Sequence, residues 1–187
     1  MSKLDKLFIS GASIFTLDDM SVLWGQTKRL DTLRSAKQYF KSGKLDRVCR
    51  GVYSLPGAKL SHIELANKLV VPSYLSGESI LKKHGASFQF ANVVTSVALV
   101  SRRVTVDGTI YRYSKMNARA FYNTVGIENG EASLERAVAD LTYITGGRFV
   151  FEDLSDINWD KLSEIAKIYD KRSVTRYIAA LKEKYHA

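Results

Sequence analysis

The chain has 187 residues and one cysteine, Cys49, so no disulfide can form within it. That fits a reducing compartment. It contains no run of about eighteen apolar residues, the length a membrane-spanning helix needs. The start, Met1-Ser2-Lys3-Leu4-Asp5-Lys6, lacks the apolar stretch and small-residue cleavage site of a signal peptide. These absences together lead us to expect a cytoplasmic protein with no membrane partner. The three histidines, His62, His84 and His186, stand far apart. None has a ligand partner at helical or hairpin spacing, so neither a metal nor another cofactor is expected. Thr145-Gly146-Gly147-Arg148 is too short for a phosphate loop and lacks its Lys-Ser/Thr pair, so it reads as a helix stop. Ser79 has no strand-turn-helix elbow around it, and Cys49 has no histidine nearby in sequence. No catalytic residue is therefore expected. Internal repeats and low-complexity stretches are absent too.

What is present is enough apolar residue, 45%, to bury a core, and a formal charge of +9. The charge is unevenly placed. Residues 1–60 carry eleven Lys and Arg against five Asp and no Glu, while residues 61–187 carry seventeen against fourteen acids. Two thirds of the excess therefore lies in the first third of the chain, as a polyanion-binding module would have it.

That first third is patterned for a winged helix-turn-helix. Leu4, Leu7 and Phe8 predict a helix from Lys3 to Ser10, which Gly11 stops. Thr16 is a good N-cap for a helix from Leu17 to Leu23, with Asp18 and Asp19 in its first turn. Gly25 supplies the sharp turn. From Thr27 to Lys41, Leu30, Leu33, Ala36 and Phe40 fall on one stripe at about 100° per residue. The opposite side would carry Lys28, Asp31, Thr32 and Ser35, with Arg29, Arg34, Lys37 and Lys41 around the stripe. Ser42-Gly43 closes the helix. Residues 45–50 and 52–55 then form a two-stranded wing about Arg50-Gly51, ended by Pro56-Gly57. Such a unit inserts its second helix into a DNA major groove and lays the wing along a neighbouring one. The candidate base contacts are Thr27, Lys28, Thr32 and Ser35. The candidate phosphate contacts are Arg29, Arg34, Lys41, Arg47 and Arg50.

A linker over 56–60 separates this unit, residues 1–57, from a second region, residues 60–187. There the patterns predict a helix from His62 to Val70 and a buried strand from Val93 to Val100. A hairpin about Asp107-Gly108 joins residues 103–107 to 109–113. A further strand is expected from Phe121 to Ile127. Helices are expected over 131–144, 158–169 (Leu162, Ile165, Tyr169) and 173–185 (Val174, Ile178, Leu181). The fold class is α+β: a winged helix followed by a mixed domain with a small antiparallel sheet and several helices.

The run "FTLDDMSVLWGQTKRLDTLRSAKQYFKSGKLDRVCRGVYSLPG" resembles the N-terminal domain of the AbiEi-type antitoxins of type IV toxin–antitoxin (abortive infection) systems. The likeness rests on a Phe-Thr start, a Gly-Lys-Leu step and the close Arg50-Gly51-Val52-Tyr53-Ser54-Leu55-Pro56-Gly57. Tyr74-Leu75-Ser76-Gly77-Glu78-Ser79-Ile80-Leu81-Lys82-Lys83-His84-Gly85 is similar to the segment that opens that family's C-terminal antitoxin domain. Ala132-Ser133-Leu134-Glu135-Arg136-Ala137-Val138-Ala139-Asp140-Leu141-Thr142-Tyr143 is similar to one of its helices. The resemblance implies repression of the protein's own operon, through promoter inverted repeats in double-stranded DNA. It also implies phage defence through neutralisation of a cognate nucleotidyltransferase-like toxin. The residues leave two other readings open. One is a stand-alone transcriptional regulator with a C-terminal sensing or dimerisation domain. The other is a DNA-processing nuclease. For the latter, Glu135 and Asp140 are the best acid pair, but five helical residues separate them by about 140°. Arg136 and Asp140 instead form an i,i+4 pair, expected to contribute a few tenths of a kcal/mol.

Overall fold

The computed structural model describes residues 1–86 and 92–186. The chain divides into two compact units, Met1–Leu69 and Val70–Ala187. In the first, the order is α1 (Lys3–Ile9), β1 (Ile14–Thr16), α2 (Leu17–Trp24), α3 (Arg29–Lys41), β2 (Asp46–Cys49), β3 (Val52–Ser54) and α4 (His62–Leu69). Leu7, Phe15, Leu17, Met20, Trp24, Ala36, Leu45 and Tyr53 form its core. Phe8, expected to share the buried stripe of α1, is exposed.

The wing is three-stranded, in the order β1-β3-β2, rather than the expected two-stranded ribbon. Ile14-Phe15-Thr16 is too short to show strand alternation, yet it pairs antiparallel with β3, Phe15 opposite Tyr53. The boundary between units also moves. Residues 60–69 belong with the winged helix, because α4 satisfies its free backbone edge. The Glu64 carboxylate accepts from the Ser13 and Ile14 amides at 3.2 and 3.1 Å. Lys68 Nζ meets Asp19 at 2.8 Å.

Asp19 is the junction of this unit. Thr16 accepts from the Asp19 amide, while the Thr16 amide and hydroxyl both donate to Asp19 Oδ2 at 2.8 Å. That closes a capping box at the start of α2. Burial works to raise the Asp19 carboxyl, but the Lys68 ammonium and the two Thr16 donors outweigh it and hold it below its ordinary 3.8.

The second unit runs β4 (Ser73–Leu75), α5 (Glu78–Lys83), β5 (Val93–Ala98), β6 (Arg102–Val106), β7 (Thr109–Lys115) and α6 (Ala118–Phe121). It continues through β8 (Ile127–Glu128), β9 (Glu131–Ala132), α7 (Leu134–Thr145), α8 (Trp159–Ala166), a 3-10 turn (Lys167–Tyr169) and α9 (Arg172–His186). Among the described residues six strands make one sheet in the order β6-β7-β5-β4-β9-β8. The architecture is α+β, and the sheet is mostly antiparallel, with β5–β7 and β4–β9 parallel. The Asp107-Gly108 hairpin forms as expected, both residues having positive φ, 46° and 76°. Val174, Ile178 and Leu181 are the buried side of α9, as their spacing predicted.

Two expectations are corrected here. Residues 121–126 are not a strand, and only Ile127 enters one, as the first residue of β8. Asn117 caps α6 through the Ala120 amide, and the carbonyls of Ala120, Asn123 and Val125 turn inward to Arg136 instead of to a neighbouring strand. The second correction concerns Arg136 and Asp140. This pair is fully buried rather than on the helix surface. Arg136 spends all five N–H donors: one from Nε to Asp140 and two each from Nη1 and Nη2, to Tyr74 Oη and the three carbonyls. Asp140 in turn accepts from Tyr74, Ser76 and Tyr169 hydroxyls at 3.2, 2.7 and 2.5 Å. Burial pushes the Asp140 carboxyl above the carboxylate range, while Arg136 and the hydroxyls pull it back. Gly126 beside it has φ 75°, and a Cβ there would sit 3.0 Å from Arg136 Cβ, so only glycine lets this loop close on the helix.

Two outcomes follow. Arg136→Met strands a buried carboxylate and should cost about 3 kcal/mol or more, read from urea unfolding. Asp19→Asn should cost about 1–2 kcal/mol at neutral pH. Because the folded Asp19 value lies below the unfolded one, its stabilisation is full above about pH 4 and is lost as pH falls through the depressed folded value. The difference between wild type and Asp19→Asn should therefore shrink by pH 3; a constant difference in urea midpoints would contradict this.

Candidate nucleic-acid interface

The helix-turn-helix is built from local signals. Gly25 takes the left-handed conformation, φ 66° and ψ 34°, and ends α2. The Gln26 amide returns to the Ser21 carbonyl at 2.9 Å, and the Ser21 hydroxyl donates to the Gln26 carbonyl. Lys28 is extended and starts α3 without a side-chain cap.

The orientation of α3 differs from the predicted one. Thr32 and Ala36 are fully buried, whereas Leu30 is 66% exposed and Phe40 44%. The buried face is rotated by roughly 70° from the Leu30-Leu33-Ala36-Phe40 stripe, at about 100° per residue. Three contacts select this face. Tyr39 packs on Trp24 with ring centroids 5.9 Å apart. The Trp24 indole donates to the Lys3 carbonyl at 2.9 Å. Lys3 Nζ donates to Ser35 Oγ at 2.7 Å and lies over the Trp24 ring. Small side chains at 32 and 36 allow α3 to seat closely against this group.

The predicted contact residues therefore divide. Thr27, Lys28, Arg29, Arg34, Lys41, Arg47 and Arg50 are exposed. Thr32 is withdrawn as a base contact: it is inside the unit, and its hydroxyl has no partner among the described residues. Ser35 is half-buried and accepts from Lys3, so it is not free to read a base edge. The exposed stripe of α3 is instead Leu30, Arg34, Lys37 and Lys41, at the i, i+4, i+7, i+11 spacing of one helix face. Lys37 and Leu30 were missed as contacts. The signal that could have found them is the Thr32/Ala36 pair, small residues four apart, which marks the packed side.

Two cations on this face are lightly held. Arg29 pairs with Asp18 of α2 and Arg34 with Asp31, all with largely exposed or half-exposed side chains; such pairs exchange readily for phosphate. On the wing, Arg47 lies opposite Tyr53, and a bulge follows between Arg47 and Cys49. The Arg47 Nε contacts the Cys49 carbonyl at 3.4 Å, and Arg50 stands at the tip beside Gly51, φ 83°. The Gly51 carbonyl accepts from the Leu17 amide at 3.2 Å, fixing the wing tip to the start of α2. A cleft of about 370 Å³ is lined by Ala12, Phe15, Val22, Leu23 and Lys68 among others and includes none of the α3 or wing cations. It adjoins this surface through Asp18, the partner of Arg29.

In the second unit the acids weighed for nuclease chemistry are committed elsewhere. Asp140 is enclosed by its hydroxyl donors and Arg136. Glu135 bonds Ser133 and the Asn158 amide and pairs with Lys161 at 2.8 Å. No group of three or more His, Cys, Asp or Glu among the described residues is placed to hold a metal ion. No helix among them is long and apolar enough to cross a membrane.

No family model matches the chain, and neither does any curated protein. Among solved structures, it is similar to the "Crystal structure of RV2827C protein from Mycobacterium tuberculosis", at 14% identity with a TM-score of 0.46. The match covers 95% of this chain and 79% of that one.

Thr32→Val should leave duplex binding unchanged and hold or raise stability by up to about 1 kcal/mol, since it removes an unpartnered buried hydroxyl. Fluorescence anisotropy with urea unfolding checks both. A loss of binding without loss of stability would return Thr32 to the interface.

Proposed function

We propose that the protein is a DNA-binding regulator that uses α3 and the wing to hold duplex DNA. The observation that carries this reading is the exposed stripe Leu30-Arg34-Lys37-Lys41, supported by Lys28, Arg47 and Arg50 on the same unit. Long cationic side chains on an exposed helix reach guanine edges or phosphates, and Leu30 can meet a thymine methyl. The Arg50 to Gly57 box and the two C-terminal motifs, which resemble AbiEi-type antitoxins, extend the reading. On it, the DNA is the inverted-repeat promoter of the protein's own operon, and the C-terminal unit neutralises a co-encoded nucleotidyltransferase-like toxin. The protein acts by binding rather than by catalysis, in the cytoplasm.

Lys28→Ala and Lys37→Ala should relax the preference for promoter over random duplex, each by about 1–3 kcal/mol. Arg47→Ala should weaken binding to all duplexes alike and flatten the salt slope by about one. Anisotropy titrations on both duplexes measure this; equal losses on cognate and random DNA for all three would refute the division. Growth on co-expression with the neighbouring toxin gene tests the antitoxin part separately.

A further inference from the structure

The C-terminal unit carries a second concentration of positive charge, on the β6 edge of its sheet. Arg102 and Arg103 lie on β6, Arg112 and Lys115 on β7, and Lys171 just before α9. They line an open groove of about 670 Å³ that has no acidic residue in its wall. This is notable because residues 61–187 as a whole are nearly balanced in charge.

The charges are set against each other by the backbone. Arg103 stands directly opposite Arg112 in the β6–β7 register. Like charges in directly opposed positions destabilise a sheet pair. Arg112 is relieved by Glu78, with which it forms an ion pair. Arg102, Arg103, Lys115 and Lys171 are exposed and make no ion pair among the described residues. A bound polyanion would neutralise these four cations, which have no acidic partner among the described residues.

The groove also indicates which part of a polyanion it takes. Along β7, Arg112 and Lys115 are roughly 10 Å apart at about 3.3 Å per residue and leave opposite faces of the strand, so the cations flank the sheet edge on both sides. Along that edge the distance spans several phosphates at one charge per roughly 3.4 Å of each strand. Among the described residues, neither aromatic side chain of the groove is open for a base: Tyr113 is 2% exposed, and Tyr143 has Lys171 Nζ over its ring at 5.2 Å. Ser101 and Ser114 add hydroxyl donors to the wall. Cations and hydroxyls without a stacking platform suit a backbone and not its bases.

We infer that this groove of the C-terminal unit is a second, sequence-independent nucleic-acid contact that holds the sugar–phosphate backbone. It is independent of the winged-helix reading and goes beyond it.

The test uses the full chain and labelled duplexes of about 25 base pairs, one promoter and one random, titrated at several KCl concentrations. A groove variant, Arg102→Glu with Arg103→Glu and Lys115→Glu, should bind both duplexes at least about tenfold more weakly at about 50 mM salt. Its slope of log affinity against log salt should be shallower by about two to three, and its preference for the promoter should survive. A reader variant, Lys37→Glu with Lys41→Glu and Arg47→Glu, should lose the preference but keep salt-dependent binding. If the groove variant keeps wild-type affinity and slope, the inference is overturned, and an acidic protein becomes the occupant to examine. If the reader variant alone behaves as wild type, the winged-helix reading fails and the groove contact stands. Should circular dichroism show the triple groove variant unfolded, Arg103→Gln and Lys115→Gln singly must each flatten the slope by about one, or the inference falls.

Discussion

The C-terminal unit depends on one buried ion pair. Arg136 and Asp140 sit one turn apart on α7, and between them they bind β4 through Tyr74, the following segment through Ser76, α6 and the loop after it through three carbonyls, and the 3-10 turn through Tyr169. Each of those connections joins parts of the chain far apart in sequence. Removing two charges from water is costly, and an apolar replacement of equal shape often does as well in net stability. What the pair fixes is arrangement: every guanidinium proton has one acceptor, so the loop over 118–126 has one way to lie. Two segments that resemble the antitoxin family, around Tyr74-Ser76 and around Asp140, meet at this point, which gives those motifs a structural reason apart from any activity.

The N-terminal unit uses acids in a similar way, and this decides where its charge points. Asp5 and Asp19 serve helix caps, Asp18 and Asp31 pair with Arg29 and Arg34, and Glu64 satisfies the β1 edge. Five of the unit's six acids are thereby tied to helix caps, backbone amides or an arginine. Lys28, Lys37, Lys41, Arg47 and Arg50 make no ion pair among the described residues. An excess of cations in a sequence says only that an anion is attractive. With most of the acids held by caps, amides and arginines, the same excess becomes a directed surface on α3 and the wing.

Local chemistry was the legible part of this sequence. Thr16 caps α2 where its type and the following residues said it would. Asp107-Gly108 made its hairpin because a tight turn needs positive φ at both residues. The failures are all tertiary. Ile14-Phe15-Thr16, Ser73–Leu75, Ile127–Glu128 and Glu131–Ala132 are two or three residues long. A strand that short has no period to detect, and its partner alone defines it. Residues 121–127 are apolar enough to look like a strand, yet an arginine ten or so residues away claims their carbonyls. The surface expected for Arg136–Asp140 assumed an amphipathic α7, whereas residues 134–142 are buried throughout. On α3 the apolar periodicity was right about Leu33 and Ala36 but also pointed at Leu30 and Phe40, where close packing chose Thr32 instead. Volume rather than hydropathy decided that face, and periodicity does not register volume.

On the proposed reading, the two cationic surfaces differ in a way that would separate their work. The α3 stripe mixes an exposed Leu with Arg and Lys on a rigid helix held by the Trp24–Tyr39–Lys3 group, so it presents both apolar and donor chemistry at fixed spacing. Discrimination between base pairs requires that combination. The β6–β7 groove offers cations and hydroxyls on a sheet edge and, among the described residues, no open ring. Such a surface adds free energy to every sequence equally, because phosphate spacing is the same in all of them. It raises affinity and its dependence on salt while leaving the ratio between sites untouched. A chain with both can hold DNA tightly through contacts that do not discriminate and still draw its sequence preference from a few side chains of one short helix.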